Sequence, residues 1–172
     1  LNPHKPEVQV LRELLFEGAH ILYKKQGGYD MDNNRMKTDF GPAAFVTDIS
    51  KATLNNENFR TALWTGNHLQ LTLMNIPAGE EIGLEMHPDV DQFLRIEFGH
   101  GLVQMGVNKE DLTLQKPVYD DFAVFVPAGV WHNLINTGNR PIKLYSIYAP
   151  PNHLRGTVHQ TKAIEEAAEG NH

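Results

Sequence analysis

Glu85, His87, Gln92 and His132 are the residues whose types and spacing could do chemistry. Alternation along a strand sends every second side chain to the same face. Glu85 and His87 are two apart, so both are expected to point into a barrel from one strand. Gln92 follows the short "PDVD" turn and by parity shares its face with Leu94 and Ile96 on the next strand. His132 comes from a second segment, directly after "PAG", whose Pro and Gly form a tight turn that fixes where the following strand enters. Oxygen and nitrogen donors from adjacent strands at one barrel level suit a first-row divalent metal ion.

The elements that must position these donors read as β-rich. From Ala43 to Pro150 the apolar period is close to two: "AAFVTDI", "FRTALW", "HLQLTLMNI", "EIGLEMH", "DQFLRIEF", "GLVQMGV", "LTLQKPV", "DFAVFV", "HNLIN" and "IKLYSIYA" are short runs separated by turn sequences. Many short strands at turn-limited spacing predict an antiparallel sandwich or barrel. "FGHG" and "NTGNRP" read as hairpin turns, because Gly and Asn accept the positive φ that tight turns require. Before this region, Pro6 to Lys25 carries Val8, Leu11, Leu15 and Leu22 at helical spacing and predicts an amphipathic helix that ends at Gly27-Gly28. The expected organisation is an N-terminal helix-and-loop arm over 1–42, a β-barrel over 43–150 and a C-terminal tail over 151–172 that closes on a short acidic helix or a frayed end.

Composition narrows the function classes. The chain has 172 residues, 41% hydrophobic, with 14 Gly and 10 Pro, which suits one domain with a real core and many turns. Its net charge is -6, from 15 basic and 21 acidic residues, and no Lys/Arg cluster tracks a phosphate backbone. Nucleic acid is therefore not an expected partner. No apolar run reaches the roughly 18 to 20 residues that a bilayer crossing needs, so no membrane partner and a cytoplasmic location are expected. With no cysteine in the chain, disulfides and thiolate metal sites are excluded, and a metal would take nitrogen and oxygen ligands.

The two segments resemble the two motifs of the cupin superfamily. The first motif, G, five residues, HxH, three or four residues, E, six residues, G, would run here as Gly79, Glu85-Met86-His87, Gln92, Gly99. The second, G, five residues, PxG, two residues, H, three residues, N, would run as Asp121, Pro127-Ala128-Gly129, His132, Asn136. The resemblance covers residues 59 to 150. It implies an all-β fold, an antiparallel double-stranded β-helix (the cupin jelly-roll barrel), here with an N-terminal helical arm. Carried over by position, it implies Glu85, His87, Gln92 and His132 as ligands of one divalent first-row transition metal: Fe, Mn, Zn, Ni or Co. Three family positions depart: Glu85 replaces a histidine, Gln92 a glutamate and Asp121 a glycine. Two histidines and one carboxylate make a set used for non-haem iron(II), with Gln92 as a neutral fourth ligand. Asp91 is a spare candidate but would break the count to Gly99.

Three functions stay open at this point. One is a metal-dependent isomerase or lyase on a sugar, sugar acid or hydroxycarbonyl compound, consistent with a likeness to cupins called mannose-6-phosphate isomerase-like. The second is an iron(II) dioxygenase, and the third a binding or sensing module without catalysis. Each takes a small-molecule substrate or ligand, and a homodimer is expected. His68 is given no role, and His100, His153 and His159 are expected at the surface, although a tail folded over the barrel mouth would bring His153 or His159 to the pocket. Arg60 and Trp64, and likewise Gln70, Thr72 and Met74, are expected to share strand faces and to line the pocket if those faces point inward. Arg95 is expected on the outer face.

Overall fold

The computed structural model describes residues 38–169. The helix expected over Pro6 to Lys25, and with it most of the N-terminal arm, lies outside the described residues. Within them, nine strands and two helices follow in chain order: α1 (Ile49–Asn55), β1 (Arg60–Thr65), β2 (Gln70–Ile76), β3 (Asp91–Phe98), β4 (Gly101–Gly106), β5 (Leu114–Val118), β6 (Ala123–Val126), β7 (Trp131–Asn136), β8 (Ile142–Ala149), β9 (Val158–His159) and α2 (Lys162–Glu169). They form a six-stranded sheet in the order β6-β3-β8-β2-β1-β9 and a three-stranded sheet in the order β5-β4-β7. Every named pairing is antiparallel. Inward-facing residues of both sheets meet in one core that includes Met74, Ile76, Leu94, Ile96, Leu134 and Leu144, as binary alternation requires.

Strand register sorts the barrel interior into layers. Gln70, Tyr148, Gln92 and Val126 stand opposite one another across β2, β8, β3 and β6. Thr72, Ser146, Leu94 and Val124 form the next row, and Met74, Leu144 and Ile96 the one after it. Polar side chains therefore collect at one end of a barrel whose other end is apolar. That polar end is where a site can be built.

Four local expectations are corrected. "AAFVTDI" is not a strand: Asp48 caps α1, its carboxylate accepting from Lys51 N at 3.0 Å, so the chain turns helical where the apolar run ends. "EIGLEMH" is an irregular extended segment that bridges β7 only at Glu81–Ile135 and Glu85–His132; Gly83, at φ 110°, breaks the ladder between them. A bulge between Ala62 and Trp64 shifts the parity of β1. Arg60 points inward, while Trp64 pairs with Leu71 on the outer face and its indole N–H donates to Ala43 O at 2.9 Å. The turns "FGHG" and "NTGNRP" are tight but do not make hairpin ladders. Each carries the chain from one sheet to the other, so β3 pairs with β8 and β4 with β7. Gly99, at φ 96°, is required there, since a Cβ would lie 2.8 Å from Pro141 O.

Asp39 fastens both ends of the described chain to the barrel. Its buried carboxylate accepts from Gly41 N, Thr65 N and Gly156 N, each at 3.0 Å, and from Thr65 Oγ1 at 2.6 Å. Burial alone would raise its pKa, but these four donors outweigh burial and hold it below the ordinary 3.8. A lowered folded pKa means that the ionised carboxylate stabilises the fold above about pH 4 and that this contribution fades as pH falls. Asp39→Asn is expected to cost about 2 kcal/mol at neutral pH and to flatten the acid limb of a stability-against-pH profile measured by urea denaturation.

Candidate metal centre

Glu85 and His132 exchange both backbone hydrogen bonds, Glu85 N to His132 O at 3.1 Å and His132 N to Glu85 O at 2.9 Å. That bridge fixes the two side chains beside each other even though Glu85 lies outside a regular strand. His87 is placed through the "PAG" turn, where Gly129 N donates to His87 O at 2.8 Å. Asp91 does not reach the centre. Its side chain is exposed and accepts from Ala128 N at 2.9 Å, bracing the same turn from outside. Gln92, one residue on, is buried at 3% exposure. Counting from the first motif therefore picks the residue that faces inward.

The ligand-capable atoms of Glu85, His87 and His132 all lie within 4.8 Å of one another. Glu85 Oε1 is 3.4 Å from His87 Nε2 and 3.3 Å from His132 Nε2, yet none of these three atoms has a partner in hydrogen-bonding geometry. Gln92 Oε1 is likewise buried and unpartnered. Buried polar atoms without partners are rare and call for an explanation. Here one such atom belongs to each of the four residues singled out above, and others lie on Thr72, Asn75, His153, His159 and Glu165.

The neighbours set the state of each group. His132 Nδ1 lies 3.0 Å from Val130 O, which can only accept, so Nδ1 carries a proton and Nε2 is the nitrogen that offers a lone pair in the neutral ring. A second hydrogen bond of this kind commonly orients a metal-binding imidazole. Gln92 is held through its nitrogen, Nε2 donating to Ser146 Oγ at 3.0 Å and Tyr148 Oη at 3.2 Å, so its carbonyl oxygen is the free end. Burial would raise the pKa of Glu85, but His132, His87 and Arg60 more than offset it and hold the carboxyl well below the usual carboxylate range. Glu85 is an anion that faces two imidazole nitrogens and feels the charge of Arg60.

Behind the centre runs a polar relay that reaches the tail. Arg60, 1% exposed, donates through Nη1 to Tyr148 Oη at 2.6 Å and through Nε to Glu165 of α2. Burial disfavours the charged guanidinium, but Tyr148, Glu165 and Glu85 more than compensate, so its pKa lies above the ordinary value. Tyr148 is fully buried, and burial pushes its phenol up, keeping it neutral. The parity of "IKLYSIYA", with Ser146 and Tyr148 facing in beside Leu144, carried the only sequence signal for this wall.

The tail is also where two expectations reverse. β9 adds to the edge of the large sheet beside β1, pairing His159 with Arg60. The ring of His153 packs edge-on against Tyr148 with centroids 5.0 Å apart, and the ring of His87 meets Tyr148 at 5.9 Å. Neither His153 nor His159 is exposed. His68 and His100 are exposed, and His100 lies against Tyr119. Arg95 is on the outer face, paired with Glu97 and Asp121. Asp121 stands where the motif has glycine and adopts φ 70°, the left-handed conformation that glycine takes most easily and Asp tolerates better than most residues.

Comparison with known proteins agrees with this architecture. A family described as "Cupin domain" matches residues 72–148. The Bacillus subtilis (strain 168) protein YrkC is 63% identical over 138 residues, covering 80% of this chain and 74% of its own. The chain belongs to the cupin superfamily. A protein of Acanthamoeba polyphaga mimivirus is 36% identical over 115 residues, covering 66% of this chain and 70% of its own. The crystal structure of BH2720 from Bacillus halodurans superposes with a TM-score of 0.75 at 62% identity, covering 76% of this chain and 98% of that one. The cupin match contains all four candidate ligands and ends at Tyr148. Arg60, His153 and Glu165, which brace and cover the polar end, lie outside it. No helix among the described residues is long and apolar enough to cross a membrane.

Proposed function

We propose that this cupin holds one divalent first-row transition metal ion through Glu85, His87, Gln92 and His132, and acts on a small hydroxycarbonyl compound as an isomerase or lyase. The observation that supports this most strongly is the set of four buried, unpartnered atoms, one on each of these residues. The donor set fits such an ion: two borderline imidazole nitrogens combined with a hard carboxylate and a hard amide oxygen suit first-row divalent metals. When bound, the ion supplies Lewis acidity toward substrate oxygens.

The protein's own groups prepare that chemistry. Val130 O fixes the His132 tautomer, and Ser146 and Tyr148 turn the Gln92 oxygen outward from its amide anchor. Arg60 is committed to Glu165 and Tyr148, so its guanidinium is not free to take a phosphate group. That commitment favours a non-phosphorylated substrate over a sugar phosphate.

The composition of the set favours a second reading, an iron(II) dioxygenase, because two histidines and one carboxylate are the ligands that class uses. One experiment separates them. Protein loaded with manganese, zinc, nickel or cobalt is incubated without oxygen in deuterated water with a panel of hydroxycarbonyl compounds. The isomerase reading expects deuterium at the carbon next to the carbonyl, read by proton NMR. In a parallel aerobic arm that adds iron(II)-loaded protein, oxygen uptake seen only with iron(II) selects the dioxygenase. Neither signal from metal-loaded protein leaves a binding or sensing role.

A further inference from the structure

His153 is held more firmly than a tail residue needs to be. Gln70, fully buried on β2, uses both ends of its amide on this loop: Oε1 accepts from Asn152 N at 3.2 Å and His153 N at 2.9 Å, while Nε2 donates to His153 O at 2.9 Å. The same Nε2 donates to Thr65 Oγ1 at 3.0 Å, and Thr65 Oγ1 donates to Asp39. Gln70, itself held by Thr65 and through it by Asp39, thus fixes the His153 backbone, and Tyr148 packs against its ring. Yet Nε2 of this clamped imidazole is buried without a partner.

An immobilised, desolvated nitrogen is costly when nothing meets it. Its location suggests what does. The ring lies on the same Tyr148 side chain as His87, and the charges of Arg60, Glu85 and His87 all act on it. Burial, with Arg60 next, pushes its pKa down to about 2 against the pull of Glu85, so it is a neutral imidazole that offers either an N–H or a lone pair. It is a fixed hydrogen-bonding group beside the centre.

The charge of the centre then indicates the ligand class. A divalent ion with one carboxylate and three neutral ligands keeps one positive charge, and the nearby guanidinium is neutralised by Glu165. A buried site in this state is balanced by a ligand carrying one negative charge. We propose that His153 is a ligand-contacting residue of the centre, its Nε2 hydrogen-bonding an oxygen of a small monoanion that offers two neighbouring oxygens to the ion, a 2-hydroxy- or 2-oxocarboxylate. This rests on the metal reading given above.

The test uses full-length protein loaded with cobalt(II), whose visible absorption bands respond to exchange of coordinated groups, titrated with glycolate, pyruvate, acetate and inorganic phosphate. Wild-type protein is expected to bind glycolate or pyruvate saturably and more tightly than acetate or phosphate. His153→Phe, which preserves the ring contact with Tyr148, is expected to take up cobalt normally and to weaken glycolate or pyruvate binding 10- to 100-fold; His153→Gln, which keeps a donor, recovers part of the loss. Equal affinities in wild type and His153→Phe with full cobalt uptake overturn the role of His153 alone. Acetate or phosphate binding as tightly as glycolate overturns the ligand class. Failure of wild-type protein to take up cobalt contradicts the metal reading and this proposal with it.

Discussion

Glu165→Ala is expected to lower the unfolding midpoint by about 10 °C, read by differential scanning calorimetry in metal-free buffer. Removing one member of a buried ion pair leaves the other uncompensated, at a cost of roughly 3 to 5 kcal/mol, and in a chain of this size each kcal/mol shifts the midpoint by about 2 to 4 °C. The geometry puts Glu165 in that class. Arg60 is 1% exposed and Glu165 5%, so water cannot take over for the lost carboxylate. The loss also frees the tail, because the Arg60–Glu165 pair joins α2 to β1 from inside. Replacing both partners by apolar residues, Arg60→Met with Glu165→Leu, is expected to restore more than half of the lost stability, since the desolvation penalty goes with the charges. If Glu165→Ala unfolds like wild type, the pair is not a structural tie.

Glu85→Ala carries the second large effect, and it falls on metal binding. An ion present at 100 times its dissociation constant adds about 2.7 kcal/mol to folding stability, which corresponds to a rise in midpoint of about 5 to 10 °C for wild type. Glu85 is the single carboxylate of the proposed set, and both imidazoles converge on its Oε1. Without it, two neutral histidines and a neutral amide face a dication alone. The metal-dependent rise is expected to vanish, with affinity reduced by at least about 100-fold, beyond the 10- to 100-fold typical of losing an outer support. Gln92→Ala, which removes a weaker neutral ligand, is expected to reduce the rise without abolishing it.

The barrel and its four inward residues were legible because both depend on local rules. Alternation and turn residues mark strands, and the count from Gly79 to Gly99 separates Gln92, facing in, from Asp91, which faces out and braces the Pro127 turn. What was not legible depends on breaks in alternation or on distant partners. The bulge after Ala62 turns Trp64 outward, and no residue type in "RTALWT" announces it. Asp48 outweighs the β-rich run before it by capping α1. The partial shielding of His153 and His159 follows from Gln70 and from pairing of β9 with β1, contacts that span 83 residues in the one case and close to 100 in the other. Arg60 and Glu165, 105 residues apart, have no short-range signature at all. The half of the candidate site that lies on the motifs was therefore legible from alternation and the cupin resemblance, and the half that covers it required the folded tail.

Four buried, unpartnered atoms, Glu85 Oε1, His87 Nε2, Gln92 Oε1 and His132 Nε2, are the proposed ligands of one metal ion. Elemental analysis of protein purified without a nickel column tests this assignment most directly, with Glu85→Ala and His132→Ala prepared alongside. The wild-type protein is expected to carry close to one equivalent of a first-row transition metal, and either variant little. Sub-stoichiometric content of every transition metal in the wild type, or equal content in all three proteins, would contradict the assignment.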